Sequence, residues 1–143
     1  MKIEGNKAVL ADLAAIAFVW CGCAFIVNPV GEFAIIDDWV YKTAVEHLLK
    51  TGQYPTTEAA PLGLVSNVLW GSLFSVPAGA SFLALRISTL VATLIGLFGL
   101  YGLVMILGRP RWVSVLVTMS VGASATYYAL SYTFMTTYCL SPW

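Results

Sequence analysis

Charged residues are scarce in this sequence. Of its 143 residues, only 10% are Asp, Glu, Lys or Arg, whereas 59% are hydrophobic, and the mean hydropathy is +0.85. A soluble domain carries about a quarter charged residues, so this chain has too little charge to cover a surface that faces water. The composition argues against an ordinary soluble domain and predicts an integral membrane protein.

Basic tracts, cysteine and histidine are also scarce. The formal net charge is zero and no basic run occurs, so nothing in the sequence favours nucleic-acid binding. Cys21 and Cys23 lie in an apolar run and Cys139 lies near the end, and we interpret all three as apolar packing residues. The single histidine, His47, has no triad partners and is expected to be an exposed or interfacial helix residue. We therefore predict neither a metal nor a cofactor.

Long apolar runs are what the sequence does contain. Residues 8–30, 82–107 and 112–135 each reach the length of about 20 residues that a helix needs to cross a bilayer. A fourth run, residues 62–77, is shorter and interrupted by serine and asparagine. The first run is longer than the apolar part of a secretory signal, about 7–15 residues, and is predicted to be an uncleaved span.

Basic residues indicate how the chain crosses the membrane. Lys2 and Lys7, and the two arginines of the link GRPRW, are expected in the cytoplasm, where short basic segments are favoured. This requires an even number of crossings before the link, so residues 62–77 are predicted to be an interfacial or partly buried outer helix. The expected fold is all-α and integral to the membrane. It has three transmembrane helices, a cytoplasmic N-terminus and an external segment at residues 31–81.

Polar and small residues within the spans lead to further expectations. Glycines at every third position of GLFGLYG predict close helix packing, and the tyrosines of TYYALSY predict an aromatic belt at the outer boundary. Asp12 is interpreted as structural, reaching either toward Lys7 or toward a neighbouring helix. Arg86 is expected to extend its charge to the outer headgroups.

An acidic pair, Asp37 and Asp38, follows the first span in FAIIDDWVYKTAVEHLLKTGQYP. In the residues behind it, apolar positions recur at a spacing of three and four, and charges of alternating sign recur every fourth residue. Both patterns predict an amphipathic helix from the pair to about Thr51, with Gly52 at its end. This helix is too short and too charged to cross a bilayer, so we expect it on the outer surface.

The acidic pair has two interpretations. In the first, one aspartate caps the helix and the other complements its dipole. In the second, one carboxylate accepts a proton from an incoming hydroxyl or amine, while its neighbour orients that acceptor or holds a cation. The second is favoured by the position of the pair close to a membrane span, where ionisable groups are often functional.

The order of these elements resembles the N-terminal part of membrane glycosyltransferases of the GT-C fold. The nearest resemblance is to the superfamily of dolichol-phosphate-mannose protein mannosyltransferases and lipid A aminoarabinose transferases. It covers roughly residues 8–136 and includes the surface helix ending TGQYP, the apolar helix behind it and the span SFLALRISTLVATLIGLFGLYGL. Its most specific parts are Asp37-Asp38 and LALR at the start of the second span. The chain is thus expected to be an N-terminal fragment of a GT-C fold.

The resemblance implies transfer of a sugar from a polyprenyl-phosphate donor to an acceptor on the external face of the membrane. It makes Asp37 the general base that activates the acceptor and Asp38 the residue that supports the site. A departing lipid phosphate needs nearby cations or hydrogen-bond donors, and Lys42 and Arg86 are the expected substrate-binding cations, with Lys50 as a third external cation. We expect the chain in a bacterial inner membrane, in contact with the bilayer, the sugar donor and partner helices.

The sequence also departs from this family. Family members are several times longer and tend to continue with another aspartate and a further span. Residues 137–143 are expected to be an unrelated tail produced by a shifted reading frame, and the chain is expected to be truncated and inactive alone. The alternative function is a small non-enzymatic membrane protein that packs against a partner through its glycine faces. A transporter fragment is disfavoured because the spans lack charges at their centres.

Overall fold

The computed structural model describes residues 2–28, 30–32, 38–54, 65–77 and 79–132. The regular elements among these residues are all α-helices, which confirms the all-α part of the prediction. They are α1 (Lys2–Val27), α2 (Asp38–Thr51), α3 (Val65–Ser75), α4 (Phe82–Ile106), α5 (Arg111–Gly122) and α6 (Ala125–Leu130).

The chain forms two compact units. Unit 1 comprises Met1–Asn28 and Val91–Tyr128, and unit 2 comprises Pro29–Leu90 and Ala129–Trp143. Unit 1 therefore contains α1, α5 and most of α4, whereas unit 2 contains α2, α3 and the first turns of α4.

Within the described residues, two helices are long and apolar enough to cross a membrane. They are Asn6–Val27, which lies within α1, and Phe82–Ile106, which is α4. Only 11% and 17% of their most apolar windows are buried inside the chain. A helix that is apolar yet little buried by its own protein is typical of a helix that faces lipid rather than the core of a soluble domain. Both agree with the predicted spans at residues 8–30 and 82–107.

The third predicted span, residues 112–135, is not one continuous helix. The helix α5 ends at Gly122, and the Ala123 amide then donates to the Met119 carbonyl at 2.8 Å. The Ser124 hydroxyl donates to the Val121 carbonyl at 2.8 Å, a local bond of the kind that competes with helix continuation. A new short helix, α6, follows. With 12 residues, α5 is shorter than the roughly 20 residues that a crossing helix needs.

The surface helix α2 has the predicted apolar face. That face joins α3 and α4 in the hydrophobic core of unit 2, which contains Ala44, Val45, Val68 and Leu85, with Tyr41, Leu48, Tyr54 and Ala80 packed against it. On another face, the Glu46 carboxylate forms two ion pairs. Its Oε1 lies 3.9 Å from Lys42 Nζ and its Oε2 lies 3.7 Å from Lys50 Nζ. The helix stops at Gly52, whose φ of +70° suits a residue without a Cβ. The prediction from the local pattern is confirmed.

The structure describes residues 65–77 of the fourth apolar run. They contain the helix α3, in agreement with the predicted helix. It is partly buried, with Val68, Gly71 and Ser75 turned inward. Its Trp70 indole nitrogen donates to the Ser88 carbonyl of α4 at 2.9 Å. This bond and the contact of Val68 with the core attach α3 to the first turns of α4.

Tyr127 and Tyr128 contact α4 and α1 within unit 1, and the predicted aromatic belt stays a prediction. Their hydroxyls donate to the Thr93 carbonyl at 2.8 Å and to the Cys23 carbonyl at 3.1 Å. Both rings meet Trp20 edge to face, with centroids 6.1 Å and 5.8 Å away. The sequence could not show this, because the break between α5 and α6 sets where these side chains point.

The three glycines of α4 have different surroundings. A Cβ at Gly96 would lie 3.0 Å from the Tyr127 hydroxyl, so a small residue is required there. A Cβ at Gly99 or Gly102 would meet nothing within 4 Å. Close packing of the predicted kind therefore occurs at the first glycine, while the other two leave an open face on the helix.

Candidate functional site

Asp38 is the first residue of α2, and its side chain is buried, with 1% exposed. A carboxylate in the first turn of a helix is stabilised by the positive end of the helix dipole. Asp37 lies outside the described residues, so its two interpretations, as a cap and as a general base, both stay predictions.

Arg86 is buried in unit 2, with 2% of the residue exposed. Its Nη1 donates to the Gly31 carbonyl at 2.8 Å. The expectation that Arg86 extends to the headgroups is wrong, because its guanidinium is enclosed by the protein. A buried cation needs hydrogen-bond acceptors in place of water, and the backbone at the end of the first span supplies one.

Glu32, next to Gly31, was not recognised from the sequence. Its carboxylate accepts the Phe82 amide at 3.2 Å and the Leu83 amide at 3.4 Å, so it caps α4. The local cap of the same helix is Ser81, whose Oγ accepts the Ala84 amide at 3.0 Å. Ser81 could have been found from its position before an apolar run, but a cap 50 residues away in sequence leaves no local signal.

Lys42 lies beside the first turn of α4. Its Nζ is 4.5 Å from the centroid of the Phe82 ring, within the range of a cation–π interaction. Asp38 lies one helical turn before Lys42, and Arg86 lies one turn after Phe82. Three of the four predicted site residues, Asp38, Lys42 and Arg86, are therefore in unit 2, where the start of α2 lies beside the start of α4.

The charges in unit 2 are suited to binding and proton transfer. A carboxylate can accept a proton from a hydroxyl, and cations can stabilise an anionic leaving group. Arg86 already donates to a carbonyl, whereas the Lys42 side chain is 26% exposed and more accessible to a ligand. Within the residues the structure describes, no cluster of three or more His, Cys, Asp or Glu side chains could hold a metal ion.

A second polar cluster occurs in unit 1, around Asp12. Arg111 donates through Nη2 to Oδ1 at 2.7 Å and through Nε to Oδ2 at 2.9 Å, and the Tyr101 hydroxyl donates to Oδ2 at 2.7 Å. Arg111 also donates to the Ala8 carbonyl at 2.7 Å. Its hydrogen bonds to Asp12 raise the pKa of Arg111 above the ordinary value.

This Asp12 cluster joins α1, α4 and α5. It decides between the two sequence interpretations of Asp12, because the carboxylate holds a neighbouring helix through Arg111. The bidentate geometry is the strongest form of a carboxylate–guanidinium contact. With three donors on one carboxylate, the cluster is suited to fixing helices rather than to accepting a substrate proton.

Comparisons with known proteins do not assign the chain to a family. Neither a family model, nor a curated protein, nor a solved structure matches it. The resemblance to GT-C glycosyltransferases, and the reaction it implies, are therefore argued as a proposal from the residues themselves.

Proposed function

We propose that this chain is the N-terminal membrane part of a glycosyltransferase that transfers a sugar from a polyprenyl-phosphate donor to an acceptor at the external membrane face. The observation that carries the proposal is the position of Asp38, Lys42 and Arg86 in unit 2, where α2 and the start of α4 share one core. The two long apolar helices supply the membrane setting that a lipid-linked donor requires.

In the proposed reaction, Asp37 takes the proton of the acceptor hydroxyl or amine. The freed lone pair forms a bond to the anomeric carbon of the sugar, and the bond from that carbon to the phosphate oxygen breaks with inversion. The lipid phosphate leaves with the electron pair. Asp38 supports the base, Lys42 contacts the phosphate, and Arg86 holds the backbone at Gly31 beside the site.

The same proposal includes the membrane topology. The chain crosses three times, the third time within the predicted span at residues 112–135, in a bacterial inner membrane with a cytoplasmic N-terminus. The contact of Arg111 with Asp12 and the Ala8 carbonyl supports this arrangement, because it places the GRPRW link next to the first turns of α1. Residues 31–81 are then external.

Thiol labelling tests the topology. In a variant whose three native cysteines are serine, Glu58→Cys is expected to react with an impermeant reagent applied from outside, and Pro110→Cys is expected to react only after the membrane is opened. The reverse pattern would place the acidic pair in the cytoplasm and end the proposal.

The catalytic role is tested in a complete enzyme that contains this sequence. Asp37→Asn is expected to lower transfer by about 10²–10⁴-fold, the usual effect of losing a general base, without loss of membrane insertion. Glu58→Gln, the same loss of one carboxylate in the predicted external segment, is expected to leave transfer unchanged. Transfer at the original rate by the Asp37→Asn variant would remove that residue from the role of base.

A second candidate function is a non-enzymatic interaction within the membrane. The open face at Gly99 and Gly102, flanked by the exposed Leu103, favours it. Under this alternative, Gly99→Leu disrupts the cellular role of the protein and Asp37→Asn does not. Under the glycosyltransferase proposal, the outcome is reversed.

A further inference from the structure

Unit 1 contains an apolar cavity of about 260 Å³. Its inner wall is formed by buried residues of three helices, Ile16 on α1, Leu97 on α4 and Gly122 on α5. Trp20 closes one side, held by its edge-to-face contacts with two tyrosine rings.

The cavity opens toward the outside of the helices. Val19, which is 43% exposed, and the exposed Ala123 lie among its lining residues and mark the mouth. Tyr128 also lines the cavity, but the Tyr128 hydroxyl donates its hydrogen bond to the Cys23 carbonyl. Water needs two to four polar partners to fill a cavity, and an apolar cavity does not provide them. The chemistry of the wall therefore selects a hydrocarbon.

The position of the cavity along α1 also favours a hydrocarbon occupant. At 1.5 Å per residue, Ile16 lies roughly 15 Å and Cys23 roughly 26 Å along α1 from Asn6. Both positions fall inside the apolar segment Asn6–Val27, which matches a hydrocarbon core about 30 Å thick. The mouth therefore meets acyl chains rather than headgroups when α1 spans a bilayer.

We propose that this cavity binds one acyl chain of a bilayer lipid, which enters between Val19 and Ala123 and contacts the Trp20 indole. The inference rests on the membrane placement in the proposed function and does not depend on the transfer reaction. The bound chain fills the space that these residues line and replaces packing that a side chain would otherwise provide.

Tryptophan quenching by brominated lipid tests the proposal. The chain is placed in nanodiscs of phosphatidylcholine with bromine at the middle of its acyl chains, in a background where Trp39, Trp70, Trp112 and Trp143 are phenylalanine. Trp20 is only 6% exposed and lines the cavity, so a brominated chain inside the cavity would contact its indole. We expect a loss of Trp20 emission relative to nanodiscs of ordinary phosphatidylcholine.

Two matched variants locate the effect. Ala123→Leu is expected to block the mouth and restore Trp20 emission, whereas Ala92→Leu, the same change at an exposed position of α4 away from the cavity, is expected to leave the quenching intact. Circular dichroism confirms that both variants keep their helices. Quenching that persists in Ala123→Leu would overturn the proposal.

A control with a lipid-facing tryptophan distinguishes failure of the cavity proposal from failure of the membrane placement. In the same background, Trp20→Phe combined with Phe18→Trp places the indole at a position that is 80% exposed on α1. Quenching of this variant without quenching of Trp20 would reject the cavity proposal alone, and no quenching of either would reject the membrane placement as well. If a free polyprenol removes the quenching of Trp20, the occupant is an isoprenoid and the acyl-chain proposal is wrong.

Discussion

The two units of this chain satisfy their charged groups in different ways. In unit 1, Asp12 and Arg111 pair with each other across helices, and Tyr101 donates to the same carboxylate. In unit 2, the ion pairs of Glu46 lie within α2, whereas two contacts between segments go to the backbone: Arg86 donates to a carbonyl and Glu32 accepts two helix amides. Side-chain pairing fixes which helices meet, whereas backbone bonding fixes where a helix starts.

The units also differ in their apolar packing. Unit 2 has a core in which residues of α2, α3 and α4 meet, as in a small domain that excludes water. Unit 1 depends on Trp20 with its tyrosines, on a small residue at Gly96 and on the Asp12 cluster. Lipid tails are as apolar as leucine, so helices in a bilayer associate through close packing and hydrogen bonds. The contacts of unit 1 are of this kind, whereas unit 2 is held by its hydrophobic core.

The largest expected effect comes from truncating buried leucines of α4 in the two units. Leu85→Ala in unit 2 is expected to lower the free energy of unfolding by about 3 kcal/mol, because it removes buried apolar contacts and leaves a cavity. Leu97→Ala in unit 1 is expected to lower it by only about 1–2 kcal/mol, since lipid can enter the enlarged cavity.

Denaturant titration in bicelles, followed by circular dichroism, measures both leucine effects. Leu103→Ala, at an exposed position of the same helix, serves as the control for the general effect of leucine loss. Equal losses for Leu85→Ala and Leu97→Ala would remove the distinction between the two kinds of packing.

An intermediate effect is expected from two hydroxyls of unit 1. Tyr101→Phe removes a bond to a carboxylate and is expected to lower the free energy of unfolding by about 1.5 kcal/mol. Tyr128→Phe removes a bond to a neutral carbonyl and is expected to lower it by about half as much, because charge-assisted hydrogen bonds are roughly twice as strong. The same titration measures both. A larger loss for Tyr128→Phe would show that the Asp12 cluster does not dominate the polar contacts of this unit.

The smallest effect, and the one that sharpens the description of unit 1, concerns two glycines one turn apart. Gly96→Ala is expected to displace the Tyr127 hydroxyl from the Thr93 carbonyl, a loss of about 1 kcal/mol that cancels the gain in helix propensity, so the free energy of unfolding changes little. Gly99→Ala has open space around it and is expected to stabilise α4 by about 0.5–1 kcal/mol through helix propensity. Thermal unfolding followed by circular dichroism compares them, and destabilisation by Gly99→Ala would contradict the open face described for this helix.

Local patterns in the sequence predicted the helices better than their contacts. The face of α2 and its stop at Gly52 follow from spacing and from backbone preference within a few residues. The two spans follow from length and hydropathy. The break inside residues 112–135 was missed because its residues are apolar or small on both sides, so hydropathy alone does not mark it.

The sequence predicted which residues belong to the candidate site, but it did not predict their hydrogen-bond partners. Asp38, Lys42 and Arg86 were singled out because charge is rare in this chain. The partner of Arg86 lies 55 residues earlier and is a backbone carbonyl, which any residue carries. For Asp12 the sequence predicted a contact either with Lys7 or with a neighbouring helix. In the structure its carboxylate binds Arg111, 99 residues away.

That distance along the chain has a consequence for biosynthesis. The ribosome completes α1, with its aspartate, long before it reaches the arginine that neutralises it. Until then the nascent helix holds an uncompensated acid, which is disfavoured in hydrocarbon. Its stable insertion is therefore expected to wait until residue 111 has left the ribosome, so that translation itself sets the order in which these helices assemble.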